Sequence, residues 1–391
     1  MVSYEYKLYK SNKTKHLDKM FSEACFVWNH ALALQKRYYK IFGKYIPESR
    51  MQKHFEKRIK RNLLHSDTTI EILQRLDAAY SRFFKHISKR PPKFKKEDNF
   101  SSVVFKRNGG YSLNGNIFTV YKIKKQFKFW LSRDYNGKIK RLVVKRNRIG
   151  EFYIIIVIDK PKTFIGKTHD GASIGIDFGL KTYMTLSDGT KINNPQFLKN
   201  ELQKLRIKSH NLSKSNKVSK NRMRKNIELA RVYKGIFNKR NDFQWKLAHE
   251  LCCKYDKIFV EDLNLSGMCR KWGRKMADLA HAEFVSKLEH VAGKYGVVVH
   301  KINRFYPSSK TCICGYVNKE LKLSDRKWIC PECGAIHDRD ILAANNILRR
   351  GIYELESDSK TSVIKPDRHS RLNPTISNES MPRKQKISLI K

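Results

Sequence analysis

Three carboxylates stand where apolar segments end or begin. Asp177 follows Ile174-Gly175-Ile176, Glu261 follows Ile258-Phe259-Val260, and Asp340 opens a segment whose Ile341, Ala344 and Leu348 fall on one helical face. The first two are 261 − 177 = 84 positions apart, a separation that adjacent strands of one sheet can close. A buried carboxylate is costly unless it is paired or binds a cation. Several converging carboxylates repel one another, and a divalent metal removes that repulsion. Each residue also has an ordinary reading: Asp177 as a turn residue ending its strand, Glu261 as the partner of a lysine, Asp340 as a helix N-cap.

Sulfur supplies the second candidate chemistry. Of eight cysteines, four fall within 22 positions as Cys312-x-Cys314, fifteen residues, then Cys330-x2-Cys333-Gly334. Two such pairs on two turns place four thiolates around a tetrahedral zinc ion. The second pair has the regular knuckle spacing, and the first is one residue shorter. The alternative is a β-turn module with inert cysteines. Clustering of this kind in a large lysine-rich chain points to a metal site in a reducing compartment, not a disulfide framework. Cys25, Cys252, Cys253 and Cys269 read as core or near-core thiols.

Charge names the class of partner. With 82 Lys and Arg against 36 Asp and Glu, the chain carries +46, far beyond what solubility needs. So much like charge works against a compact state unless a polyanion neutralises it. There is no apolar run of about 18 residues and no signal peptide, so nucleic acid is the expected partner and a membrane is not. The expected location is the prokaryotic cytoplasm, at the nucleoid.

The elements that would carry these groups follow from periodicity. Tyr4, Tyr6 and Leu8 alternate as one face of a strand; Leu17, Met20, Phe21, Ala24 and Trp28 then follow helical spacing. A basic helical stretch follows Pro47, and a third helix carries Ile72, Leu76, Ala79, Phe83 and Ile87, stopping at Pro91-Pro92. Residues 100–160 alternate between Asn-Gly turns as a small antiparallel sheet or barrel completed by the first strand. Tyr121, Lys122, Lys124, Lys125, Phe127, Phe129 and Trp130 there are candidates for stacking on or pairing with nucleic acid, with ordinary barrel core plus a solvated face as the equal alternative for each. From Ile174 the chain reads as α/β, with a long basic helical hairpin over 195–255 broken near 213–219. Residues 201–240 hold 13 Lys and Arg against two acids, which favours a phosphate-facing surface over a merely solvated one. Lys220, Arg222, Arg224, Lys225 and Arg231 are the candidate contacts. The tail after Leu355 has no apolar period and reads as disordered.

Three blocks in order resemble the TnpB family of transposon-encoded RNA-guided nucleases, relatives of type V CRISPR effectors. They are Gly175-Ile176-Asp177-Phe178-Gly179, then Val260-Glu261-Asp262-Leu263-Asn264-Leu265-Ser266-Gly267-Met268. The third is Pro307-Ser308-Ser309-Lys310-Thr311-Cys312 with His337-Asp338-Arg339-Asp340 and Ala343-Ala344-Asn345-Asn346-Ile347. The resemblance implies a RuvC-like, RNase H-like nuclease domain (166–310 and 334–355) with a zinc-ribbon insert (311–333). Before it stand a wedge β-barrel (1–10 and 92–165) and an inserted helical recognition domain (11–91), and residues 356–391 form the tail. It implies a catalytic triad of Asp177, Glu261 and Asp340, Asp340 being preferred to Asp338 for its place before the Ala-Ala pair. That triad would hold two Mg²⁺ ions about 4 Å apart for phosphodiester hydrolysis, with Zn²⁺ on the cysteines. The implied partners are a guide RNA and a target double-stranded DNA carrying a short motif read by the protein. Leu342 stands where the family has asparagine. Two other functions compatible with the residues are a nuclease-inactive guided repressor and a transposase with the same triad.

Overall fold

The protein is described from a computed structural model, which covers residues 1–106, 109–160, 171–217, 219–263, 265–322 and 324–362. β1 (Val2–Lys7) leads into α1 (Thr14–Phe42), α2 (Glu48–Arg58) and α3 (Ser66–Phe84). Six strands follow: β2 (Ser102–Lys106), β3 (Tyr111–Asn114), β4 (Ile117–Val120), β5 (Lys125–Lys128), β6 (Lys138–Arg146) and β7 (Phe152–Asp159). Then come β8 (Ser173–Phe178), β9 (Thr182–Leu186) and β10 (Lys191–Asn193), followed by α4 (Phe197–Asn200), α5 (Leu202–Ser213) and α6 (Lys220–Lys254). The chain continues through β11 (Lys257–Glu261), α7 (Leu265–Leu279), α8 (His281–Tyr295), β12 (Val298–Ile302), β13 (Lys327–Ile329), β14 (Ile336–Asp338) and α9 (Arg339–Ser362).

These elements form two compact units. In the first, the antiparallel sheet β1-β7-β6-β2 receives the N-terminal strand beside β7, and a second sheet, β3-β4-β5, joins it through the Leu8–Phe129 bridge. Inward residues of the first sheet (Tyr6, Leu142, Val144, Ile154, Ile156) share one core with Leu17, Phe21, Ala24 and Trp28 of α1 and Ile72 and Leu76 of α3. The alternation in β5 points Phe127 inward, and Phe129 just beyond it is fully buried. These two rings are core, which removes them from the candidate stacking residues, whereas Tyr121 and Trp130 are exposed. The third helix ends at Phe84, before the prolines, because His86 adopts a left-handed backbone (φ 55°); Ile87 therefore leaves the apolar stripe and is exposed. Residues 195–256 and 265–297, which the sequence assigns to the nuclease domain, belong to this first unit. Within it Lys234 of α6 bonds Glu151 and the Tyr153 hydroxyl.

The second unit is a five-stranded mixed sheet of order β10-β9-β8-β11-β12. β8 and β9 are antiparallel, as are β9 and β10, whereas β11 runs parallel to both β8 and β12. α9 covers this sheet, and two glycines set how closely. A Cβ on Gly175 would lie 2.1 Å from the Ala344 carbonyl oxygen, and one on Gly351 would lie 2.0 Å from the Phe259 ring. Any larger residue at either position would push the helix off β8 or β11. The fold is thus α/β in this unit and mixed β and α in the other. α9 runs to Ser362, seven residues into the stretch read as disordered. Its continuation is supported by the Arg350–Glu354 pair and by the Ser357 hydroxyl on the Tyr353 carbonyl. The expected disorder of residues 363–391 lies outside the described residues.

Candidate active site and metal centre

Asp177 lies in β8 and Glu261 ends β11. The parallel register pairs Gly175 with Phe259 and Ile176 with Val260, which brings Asp177 and Glu261 to the same level on neighbouring strands, about 4.8 Å apart along the sheet. Strand alternation puts Asp177 on the face of Gly175 and Glu261 on the face of Phe259, and those are the two residues against which α9 packs. Asp340 is the second residue of α9, one turn before Ala344. The close approach at Gly175 therefore brings the third carboxylate within electrostatic reach of Asp177.

The electrostatics register this convergence. Burial pushes the Asp177 carboxyl up, and the neighbouring carboxylates of Glu261 and Asp340 add to it, so that it titrates at about 8 although Arg339 and Arg326 oppose the shift. Burial also raises Glu261, against the hydroxyl hydrogen bond from Ser308 to its Oε1. Arg326 Nη1 donates to both oxygens of Asp340, at 2.9 and 3.2 Å. Asp338 has a different task. Its Oδ1 accepts from the amides of Asp340 and Ile341, capping α9, and its Oδ2 pairs with Lys191 at 2.8 Å. The N-cap reading considered for Asp340 thus belongs to Asp338.

The four cysteines converge within the same unit. Their sulfurs lie within 4.8 Å of one another, with Cys312 and Cys333 3.5 Å apart and Cys314 and Cys330 3.6 Å apart. Four sulfurs about 2.3 Å from one tetrahedral ion would stand about 3.8 Å apart, so the donor set fits zinc in both number and spacing. The shortened pair closes by a compensating turn. Gly315 (φ 98°) donates its amide to the Cys312 carbonyl, where the regular knuckle uses Gly334 (φ 71°) and Cys330. In both knuckles the first cysteine's amide is also held, by Tyr316 O and Ala335 O respectively. Burial raises the Cys330 thiol, but the amides of Cys333 and Glu332 outweigh it, and the thiol titrates at about 7. Leu342 is buried among Cys312, Leu321, Trp328 and Cys330. It is an apolar support for the cysteine module where the family has a polar side chain.

Of the candidate nucleic-acid contacts, Lys220, Arg224 and Arg231 are exposed on α6. Arg222 Nη1 donates to the carbonyls of Leu212 and Ser215, and Lys225 Nζ to that of Asn211. Both therefore close the turn between α5 and α6. Four residues escape a sequence reading: Ser308, Arg326 and Asn346 around the carboxylates, and His337, whose Nε2 lies 3.0 Å from Cys312 Sγ. Ser308, Asn346 and His337 stand inside the motif blocks, but only the tertiary contacts assign them partners.

Comparison with known proteins bears on the whole arrangement. Residues 156–271 match the OrfB_IS605 family model, described as "Probable transposase", and residues 281–347 match the Cas12f1-like TNB domain. A protein of Streptomyces pristinaespiralis named "Putative RNA-guided DNA endonuclease" is 29% identical over 382 residues, spanning 94% of this chain and 93% of that one. The chain resembles the TnpB family. InsQ of Escherichia coli (strain K12), whose name also reads "Putative RNA-guided DNA endonuclease", is 27% identical to this TnpB-like chain over 361 residues, covering 85% and 88% of the two. The solved Cas12f1-sgRNA-target DNA complex shares the fold, with a TM-score of 0.53 at 18% identity over 85% of this chain and 81% of that chain. Among the described residues no helix is long and apolar enough to cross a membrane.

Proposed function

We propose that this protein is an RNA-guided, metal-dependent DNA endonuclease whose catalytic metal is held by Asp177, Glu261 and Asp340. The observation that carries the proposal is the approach of carboxylates from β11 and α9 to Asp177 of β8, which is half-buried and whose acidity is suppressed by desolvation and then by the other two. Such a cluster is poorly stable without a cation, and oxygen donors of this hardness suit Mg²⁺. Divalent ions bound there supply Lewis acidity and an activated water for phosphodiester hydrolysis. The chain's own residues prepare the site: the β8–β11 register sets Asp177 beside Glu261, Ser308 fixes one Glu261 oxygen, and Asp338 anchors the start of α9 so that Asp340 faces the strands. Arg326 offsets the charge of Asp340.

The charge of +46 suits a guide RNA and a double-stranded DNA target as partners. In this reading the antiparallel sheets of the first unit act as the wedge, α1–α3 act as the recognition part, and the cysteine module binds a structural zinc ion. Sequence specificity comes from guide pairing, with a short flanking motif read by the protein. The test is to sequence the nucleic acid that co-purifies and to supply DNA matching it, with Mg²⁺. The proposal expects one discrete RNA and cleavage of the matched DNA alone, abolished by chelation. RNA-independent joining of defined DNA ends would instead indicate a transposase, and guided binding without cutting a repressor.

A further inference from the structure

Asn346 is a polar side chain with 3% exposure in the middle of α9, buried against the 308–311 loop and not on the face that meets β8 and β11. Its Nδ2 donates to two backbone carbonyls of one loop, Ser308 O at 2.8 Å and Thr311 O at 2.6 Å. The loop is tightly folded on its own account. Thr311 Oγ1 and Lys310 N both donate to Pro307 O, and Ser308 N donates to Tyr306 O. Ser308, itself 6% exposed, directs its hydroxyl onto Glu261 Oε1. A continuous path of hydrogen bonds therefore runs from the helix that carries Asp340, through a pinned loop, to the carboxylate that ends β11.

The path answers a definite electrostatic problem. Glu261 has a longer side chain than the aspartates and more rotamers, and its charge acts on Asp177 in the neighbouring strand. Repulsion alone would swing it away from Asp177. A single hydroxyl donor, held by a backbone that cannot retreat because Asn346 grips it on both sides, restricts those rotamers. Partners of this kind around metal-binding carboxylates orient the ligand and tune its affinity.

We propose that Ser308 and Asn346 are positioning residues for Glu261: Asn346 fixes the 308–311 loop, and the loop aims the Ser308 hydroxyl so that Glu261 is already oriented to receive a divalent cation. The proposal rests on the nuclease reading given above. It goes further in assigning two residues outside the triad and in tying the geometry of the β11 carboxylate to the helix bearing the third.

The experiment measures Mn²⁺ binding to the full-length protein by electron paramagnetic resonance, with Mg²⁺-dependent cleavage alongside. Ser308→Ala is expected to weaken Mn²⁺ binding about tenfold, within the range for loss of a ligand's supporting hydrogen bond, with its melting temperature close to that of the unaltered protein. Ser308→Thr, which keeps the hydroxyl, is expected to bind as the unaltered protein does. Asn346→Asp, which sets a carboxylate against two carbonyl oxygens, is expected to weaken binding at least as much as Ser308→Ala. Should this variant fail to fold, the two Ser308 variants decide the matter. Unchanged Mn²⁺ affinity in Ser308→Ala, or equal weakening in Ser308→Ala and Ser308→Thr, overturns the positioning role. The nuclease reading fails separately, if Asp177→Asn and Glu261→Gln bind Mn²⁺ as tightly as the unaltered protein.

Discussion

Asp177 and Glu151 are both carboxyl groups drawn out of water, one in each compact unit, and their acidities move in opposite directions. Burial raises both. At Glu151 the hydrogen bonds from Lys234, Lys7, Asn147 and Tyr153 outweigh it, and the group titrates at about 2. At Asp177 the nearest charged groups that matter most are two more carboxylates, and it titrates at about 8. The first arrangement is complete: the ammonium groups of Lys7 and Lys234, the Asn147 amide and the Tyr153 hydroxyl all donate to one side chain. The second is a concentration of like charge that Arg326 and Arg339 offset only in part. Like charge of this kind works against folding and is concentrated at functional sites, which is why the second arrangement is the candidate site and the first is read as architecture.

The comparison can be broken by exchanging residues whose roles it separates. The largest effect is expected at Asp340→Asn, which should lower the rate of guided cleavage by about 10³-fold or more with target binding retained. Asp338→Asn should leave the rate within a few-fold. Single-turnover cleavage of matched DNA checks both, and equal losses would show that the α9 cap and the third carboxylate are not separate functions.

The Glu151 network should show the converse pattern. Lys234→Met removes its strongest donor and is expected to lower stability by about 1–3 kcal/mol, read as a shift in denaturant midpoint, without altering Mn²⁺ affinity at the carboxylates. A smaller effect appears on acidification. The folded-state value of Glu151 lies below its ordinary value of 4.5, so its stabilisation is complete above about pH 4.5 and is lost as pH falls towards 2. Glu151→Gln should flatten the stability–pH curve in that window, and an unchanged slope would remove the network from the acid response.

What was legible in the sequence follows the same division. Asp177 and Glu261 stand out because an apolar run stops at an acid, and strand periodicity alone then places them at strand ends. Asp340 needed the motif that surrounds it, since its neighbour Asp338 is equally plausible by type and only the amides it caps distinguish the two. The four-cysteine spacing announces a cluster, and the fold brings all four sulfurs together. Gly175 and Gly351 gave no hint of their purpose, which is to let α9, which begins 339 − 175 = 164 positions after Gly175 and contains Gly351, lie directly on two strands. Ser308, Asn346 and Arg326 are ordinary polar residues until tertiary packing assigns their partners. The same is true of Glu151, whose donors come from positions 7, 147, 153 and 234. Phe127 and Phe129 leave core and stacking surface equally open in the sequence, because aromatic residues between lysines suit either, and their burial decides for core.

The most direct test is cleavage by Asp177→Asn, which keeps the size of the side chain and removes its charge. Loaded with its guide RNA and given matched DNA and Mg²⁺, this variant is expected to bind the target as the unaltered protein does and to cut neither strand. Cutting at a rate comparable to the unaltered protein would contradict the assignment of catalysis to the three converging carboxylates.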